Sequence, residues 1–203
     1  MQDRVWPGAM IDGAPGSISI RTADIGDLDR LTDHFGTLSP LARYDRFMGA
    51  VDNFAKIAVD CLMQGCRAER FTLVAEWQRR GRDVIIGEAC YAFDRDKRCG
   101  EFAVSVADRW QRRGIGSALL CALQYRAISL GFVGLFGETL KTNVAMKHLA
   151  LNAGFEFSRS SDWRAVRFDK RLDGPIVLSR PNPRRKDRHE PDLGSPDPSP
   201  VTP

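Results

Sequence analysis

Gln111-Arg112-Arg113-Gly114-Ile115-Gly116 joins two different hydrophobic periodicities. Upstream, Glu101 to Val106 alternates as a strand does; downstream, Ile115, Leu119, Ala122 and Leu123 recur at helical spacing until Gly131, a helix stop suited to the left-handed conformation. A strand that runs through a glycine loop straight into a helix leaves backbone N–H groups unpaired at the positive end of the helix dipole. Such a terminus attracts a phosphate or pyrophosphate. Gly114 and Gly116 lack a Cβ, so the backbone can approach an anion closely, and Arg112 and Arg113 add charge beside it. Taken alone, the loop is better read as a tight turn flanked by solvated arginines. It is neither GxGxxG nor GxxxxGK[ST], which excludes the dinucleotide fingerprint and the P-loop.

Moving outward, the chain divides by composition. Eight of the eleven prolines lie from residue 173 onward, among scattered charges and few aliphatics, so residues 173–203 are expected to form a disordered tail. Residues 1–16, with Gly8, Gly13, Pro15 and Gly16, are expected to be an irregular lead-in. Residues 17–172 remain as the folded domain, a size able to bury its own core. Within it Ile18 and Ile20 alternate as a strand, and Asp24 is expected to cap a helix bearing Ile25, Leu28, Leu31 and Phe35. Ser39-Pro40 starts a second helix, and a third runs from Asp52 to Gly65.

Strands are then expected from Phe71 to Trp77, Val84 to Phe93 and Glu101 to Val106, with turns at Arg80-Gly81-Arg82 and Asp94-Arg95-Asp96-Lys97. After the long helix come a strand from Phe132 to Leu140, a helix capped by Asn143 and stopped by Gly154, and a hairpin of Phe155 to Ser160 with Trp163 to Asp169. The order describes an α+β fold: a mostly antiparallel twisted sheet of six to seven strands with helices on both faces.

Composition excludes several functions. With 43% hydrophobic residues, 28% charged and no apolar run of membrane-spanning length, no membrane segment is expected, and the cytoplasm is the default location. Five irregularly spaced cysteines and three separated histidines make neither a disulfide framework nor a metal site. The net charge of +4 is mild. The basic run Arg184-Arg185-Lys186-Asp187-Arg188 suggests nucleic acid, but five Lys/Arg after residue 172 are balanced by five Asp/Glu, so no nucleic-acid partner is expected.

The loop matches Q/R-x-x-G-x-G/A, and a second stretch, Asn143-Val144-Ala145-Met146 through Leu149 to Gly154-Phe155, matches N-x-x-A/M-x-x-L-x-x-x-x-G-F. Together with the element order, these motifs resemble the GNAT superfamily of N-acetyltransferases. The resemblance implies acetyl-CoA as co-substrate, bound where the strand carrying Glu101 and the strand after Gly131 splay apart. Backbone groups of Val104, Ser105 and Val106 would pair with the pantetheine arm. Arg112, Arg113, Gly114, Ile115, Gly116 and Ser117, with Gln111 at the loop's start, would hold the pyrophosphate. Asn143 would face the arm from the other side, a role compatible with a helix cap.

Transfer of acetyl to an alkylammonium requires loss of a proton, which a carboxylate can accept directly or through water. Gly100-Glu101-Phe102-Ala103-Val104 resembles the strand of bacterial protein-lysine acetyltransferases in which that glutamate is the base. This resemblance makes Glu101 the leading candidate, ahead of Glu138 and Glu88. Ala150 stands where many GNAT enzymes have a tyrosine that protonates the leaving thiolate, so the acid is unassigned. Leu38-Ser39-Pro40-Leu41-Ala42-Arg43-Tyr44-Asp45-Arg46-Phe47 is similar to the S-x-x-S-x-Y-x-R-F segment of the same lysine acetyltransferases, with Ala42 replacing the second serine. The expectation is acetylation of a primary amine, with protein lysine favoured over a small amine. The alternative is a catalytically silent acetyl-CoA-binding regulatory module.

Overall fold

The computed structural model describes residues 17–62, 68–79, 82–94 and 98–173. The expected lead-in at 1–16, the tail from 174 onward, the helix stop at Gly65 and most of the two hairpin turns lie outside the described residues.

Seven strands form one sheet in the order β1-β2-β3-β4-β5-β7-β6. These are β1 (Ser17–Thr22), β2 (Ala68–Arg79), β3 (Arg82–Asp94), β4 (Cys99–Val106), β5 (Gly134–Leu140), β6 (Glu156–Arg159) and β7 (Ala165–Arg171). Every pairing is antiparallel except β4 with β5. The five helices among the described residues are α1 (Leu28–Thr37), α2 (Pro40–Phe47), α3 (Phe54–Leu62), α4 (Ile115–Ser129) and α5 (Val144–Asn152). Side chains alternate between the faces of a strand, which separates two layers. Ser105 of β4 meets His34 of α1, whereas Gly87 of β3 lies under Leu119 of α4. Thus α1 to α3 cover one face, and α4 and α5 the other. The position of β7 between β5 and β6 follows from its alignment with β5 along the whole length Gly134 to Leu140. The hairpin with the short, exposed β6 then adds the edge.

A buried ionic cluster joins the first elements. Arg21 of β1 donates to both oxygens of Asp27 at 2.7 and 2.8 Å and to Glu76 of β2 at 2.9 Å, and Arg30 of α1 reaches the same two carboxylates. Burial alone would push the Asp27 carboxyl up, but hydrogen bonds from Arg21 and the Asp24 backbone, with the charges of Arg21 and Arg30, hold it down at about 2. This cluster corrects the expected first helix. Asp24 caps as expected, but it does so through a reciprocal capping box that closes a 3₁₀ turn at Ile25–Asp27. The α-helix starts only at Leu28, and Ile25 faces solvent. Trp163 is corrected too: it is 80% exposed and precedes β7. The Asp162 side chain accepts from the Arg164 N–H, and its carbonyl accepts from the Ala165 N–H, which bends the chain away from an extended course.

The feature that positions the site is a short pairing. β4 and β5 pair only at Cys99↔Gly134, Gly100↔Leu135 and Glu101↔Phe136. Gly137 follows at once, and a Cβ there would stand 2.6 Å from Phe168 Cε2 and 3.1 Å from the Phe102 carbonyl oxygen. Glycine is therefore required where the strands part.

Candidate active site

Beyond Glu101 and Phe136 the two strands enclose a cleft of about 470 Å³, with α2 over one side and α5 over the other. β4 contributes Phe102 to Val106 to the wall. Because β5 has left its flank, this stretch has ladder pairing to β3 alone, and its other edge is available to an extended ligand.

The loop stands at one end of the cleft. Arg112 has φ 57° and Gly114 φ 81°, so two residues in three adopt the left-handed region, one of them not glycine. Such a turn directs successive backbone N–H groups into a concavity suited to an anion. Gly114 is the N-cap of α4 and offers no side chain, so nothing caps the N–H groups of the first turn. Gln111 Nε2 donates to the Val106 carbonyl at 3.0 Å, tying the loop to the end of β4. Gln111, Arg112, Gly114, Gly116 and Ser117 all line the cleft. Two sequence candidates are placed elsewhere: Arg113 stacks over the Trp110 ring at 5.3 Å, and the Ile115 side chain is buried in the core. Their backbone N–H groups remain in the turn.

Opposite β4, Asn143 lines the cleft and its Oδ1 accepts from the Met146 N–H at 2.9 Å, so it does cap α5. Glu101 is exposed, at the last paired position. Alternation puts it with Ala103 and Ser105 on the α1–α2 face, where Arg167 feels the charges of both Glu138 and Glu101. Glu138 lines the cleft from β5. Glu88 does not: it is wholly buried and takes a 2.6 Å salt bridge from Arg46 Nε.

Sequence reading missed four parts of this site. Asp45 of α2 lines the cleft, and burial pushes its carboxyl up. Asp108 accepts from the Ser39 backbone N–H at 2.9 Å and from the Ser39 hydroxyl at 2.6 Å, fastening the start of α2 to the turn before the loop. His34, Ser105, Glu88 and Arg46 form a connected buried row: His34 Nε2 to Ser105 Oγ is 2.9 Å, and Ser105 Oγ donates to Glu88 at 3.1 Å. Thr139 is the fourth, a buried hydroxyl on the cleft wall. The sequence singles out Glu88 as a carboxylate in a central strand and Ser105 for its backbone alone; the side-chain contacts of both, and the other residues, depend on which elements meet.

The profile of the acetyltransferase (GNAT) family matches residues 41–155, more than half of the chain, and spans both the loop and the Asn143 to Phe155 motif. The chain belongs to the acetyltransferase (GNAT) family. Its enzymes use acetyl-CoA as co-substrate, and this chain is accordingly an acetyl-CoA-dependent N-acetyltransferase. It is 27% identical over 157 residues to Acetyltransferase PA5475 of Pseudomonas aeruginosa, covering 77% of this chain and 83% of that one. In fold it is similar to the GNAT domain of S. lividans PAT, with TM-score 0.72 and 23% identity over 83% of this chain and 98% of that one. It is also similar to spermidine N-acetyltransferase from Vibrio cholerae, solved with CoA and spermine, with TM-score 0.61 and 15% identity over 76% and 95% of the two chains. The residues present fit the co-substrate: an uncapped helix start for the pyrophosphate and a free strand edge for the amide-bearing arm. Among the described residues no group of His, Cys, Asp and Glu could hold a metal ion, and no helix is long and apolar enough to cross a membrane.

Proposed function

We propose that this acetyltransferase acetylates a primary amine by direct attack on acetyl-CoA, and that a protein lysine is its preferred acceptor. The observation that carries the site assignment is the end of β4–β5 pairing at Glu101↔Phe136, which leaves a strand edge leading from an uncapped helix N-terminus to an acidic face. In this reading the N–H groups of residues 112–117 and the Arg112 guanidinium hold the pyrophosphate. Gln111 braces the loop, the backbone of Val104, Ser105 and Val106 pairs with the pantetheine amides, and Asn143 shapes the opposite wall. Glu101 takes the proton from the incoming ammonium, directly or through water: it is exposed at the last paired position, one residue before the cleft lining begins at Phe102, and itself lies outside that lining. Glu138 and Asp45 on the same opening add negative charge that favours a cationic acceptor.

Preference for lysine is supported by α2, the segment similar to that of bacterial protein-lysine acetyltransferases. It leaves Tyr44 exposed beside the half-buried Asp45 at the cleft, a surface open to a peptide as well as to a small amine. A thiol-release assay over lysine peptides, free lysine and polyamines tests this reading. A kcat/KM for lysine peptides at least tenfold above that for any small amine is expected. A polyamine as best substrate would overturn the preference, and acetyl-CoA binding without turnover on any amine would favour a silent binding module.

A further inference from the structure

Thr139 is 1% exposed, lines the cleft, and its Oγ1 has no hydrogen-bond partner among the described residues. A threonine in a helix can return its hydroxyl to a carbonyl of the preceding turn; one in a strand has no such carbonyl in reach. A buried donor left unpaired costs free energy, so its retention calls for a partner that arrives with a ligand. The residue is well placed for one. Thr139 lies three residues past Phe136, the last residue of β5 paired to β4, which carries it about 10 Å into the opening. Alternation puts it on the Gly137 side of β5, facing the layer of α4 and α5, while Glu138 faces the acceptor side. Ala150 of α5, fully buried, brings no polar side-chain group.

We propose that Thr139 Oγ1 donates a hydrogen bond to the sulfur of the bound thioester and of the CoA thiolate it becomes. The inference rests on the acetyl-CoA reading above. In the transfer the ammonium first loses a proton, and its nitrogen forms a bond to the thioester carbonyl carbon. The carbon–sulfur bond then breaks with its electron pair on sulfur, and the nitrogen loses a second proton as the amide forms. Sulfur regains one proton from solvent, and one proton is released overall. A threonine hydroxyl is too weak an acid to hand its proton over, but a hydrogen bond to sulfur strengthens as negative charge develops there and so favours the departing thiolate. Thr139 would thus be a catalytic residue on the leaving-group side, as Glu101 is on the amine side.

The test compares CoA with desulfo-CoA by calorimetry at about pH 10, where the thiol is largely ionised. Wild-type protein should bind CoA about tenfold more tightly than desulfo-CoA, the scale of one hydrogen bond to a charged group. Thr139→Val should bind the two equally, and Thr139→Ser should restore the preference. Without ligand, the Val variant should melt no lower than wild type, since it removes an unpaired hydroxyl. A preference that survives in Thr139→Val would overturn the proposal. So would its absence from wild type, an equal loss for both ligands, or a Val variant that fails to fold. Wild-type protein that binds neither ligand would instead remove the acetyl-CoA reading beneath it.

Discussion

Arg46 of α2 donates through Nε to Glu88 Oε1 of β3 at 2.6 Å, while its Nη2 lies 3.2 Å from Cys90 Sγ, so a cationic residue on the cleft wall is fixed by a carboxylate with no solvent access. Breaking one half of a buried pair leaves an uncompensated charge, at a cost of about 3–5 kcal/mol, whereas replacing both halves by neutral groups costs far less. Urea unfolding should therefore find Arg46→Met strongly destabilised and Arg46→Met/Glu88→Gln largely recovered. Additive losses in the double variant would show that the two residues act independently.

His34 gives the protein a pH dependence with a defined sign. Burial, more than the opposing charge of Glu88, depresses its pKa from 6.5 to about 4, with Arg46 lowering it further. The folded state keeps His34 neutral while the unfolded chain takes up a proton, so this stability is present above pH 6.5 and lost as pH falls toward 4. The loss approaches about 3 kcal/mol at 1.36 kcal/mol per unit. Asp27, held down at about 2, loses its contribution only below about pH 4, so the windows are separate. His34→Gln should flatten the stability profile between pH 6.5 and 4; an unchanged slope would assign the acid sensitivity to other groups.

Glu101→Gln separates binding from chemistry. Glutamine keeps the size and most of the hydrogen bonding but cannot accept the proton. Acetyl-CoA affinity should stay within a few-fold while turnover at neutral pH falls by about two to four orders of magnitude. The residual rate should rise with pH as free amine accumulates. Wild-type turnover at pH 7 would move the role to Glu138, to Asp45 or to solvent.

Much of this fold is local in origin, which is why the sequence discloses it. The loop, α4 and the Asn143 cap are runs in which periodicity, glycine and capping residues act within a few positions. What the sequence conceals depends on contacts between distant segments. Ile25 reads as a helical core residue until Arg21 is seen holding Asp27. Thr139 reads as an ordinary strand residue, and Ser105 as no more than backbone for the pantetheine arm, until the early end of the β4–β5 pairing places both on a cleft wall. Glu101 is legible by motif, yet its exposure at the last paired position emerges only from strand register. Arg113 and Ile115 show the opposite limit: neighbours in a motif whose side chains diverge once α4 is formed.

If the turn into α4 holds the pyrophosphate of acetyl-CoA, a negative charge at Gly116 should block binding without disturbing the fold. A Cβ there would make ordinary contacts, 3.4 Å to Leu149 Cδ2 and 3.8 Å to Val106 Cγ2, and an acidic residue in a first helical turn favours the helix dipole. Gly116→Asp should therefore fold with at least wild-type stability, yet place negative charge where the phosphates sit. Calorimetric titration with acetyl-CoA should show binding in the wild type and a loss of at least a hundredfold in Gly116→Asp, with thermal melting unchanged or raised. A folded Gly116→Asp variant that binds acetyl-CoA with wild-type affinity would exclude this turn as the pyrophosphate site.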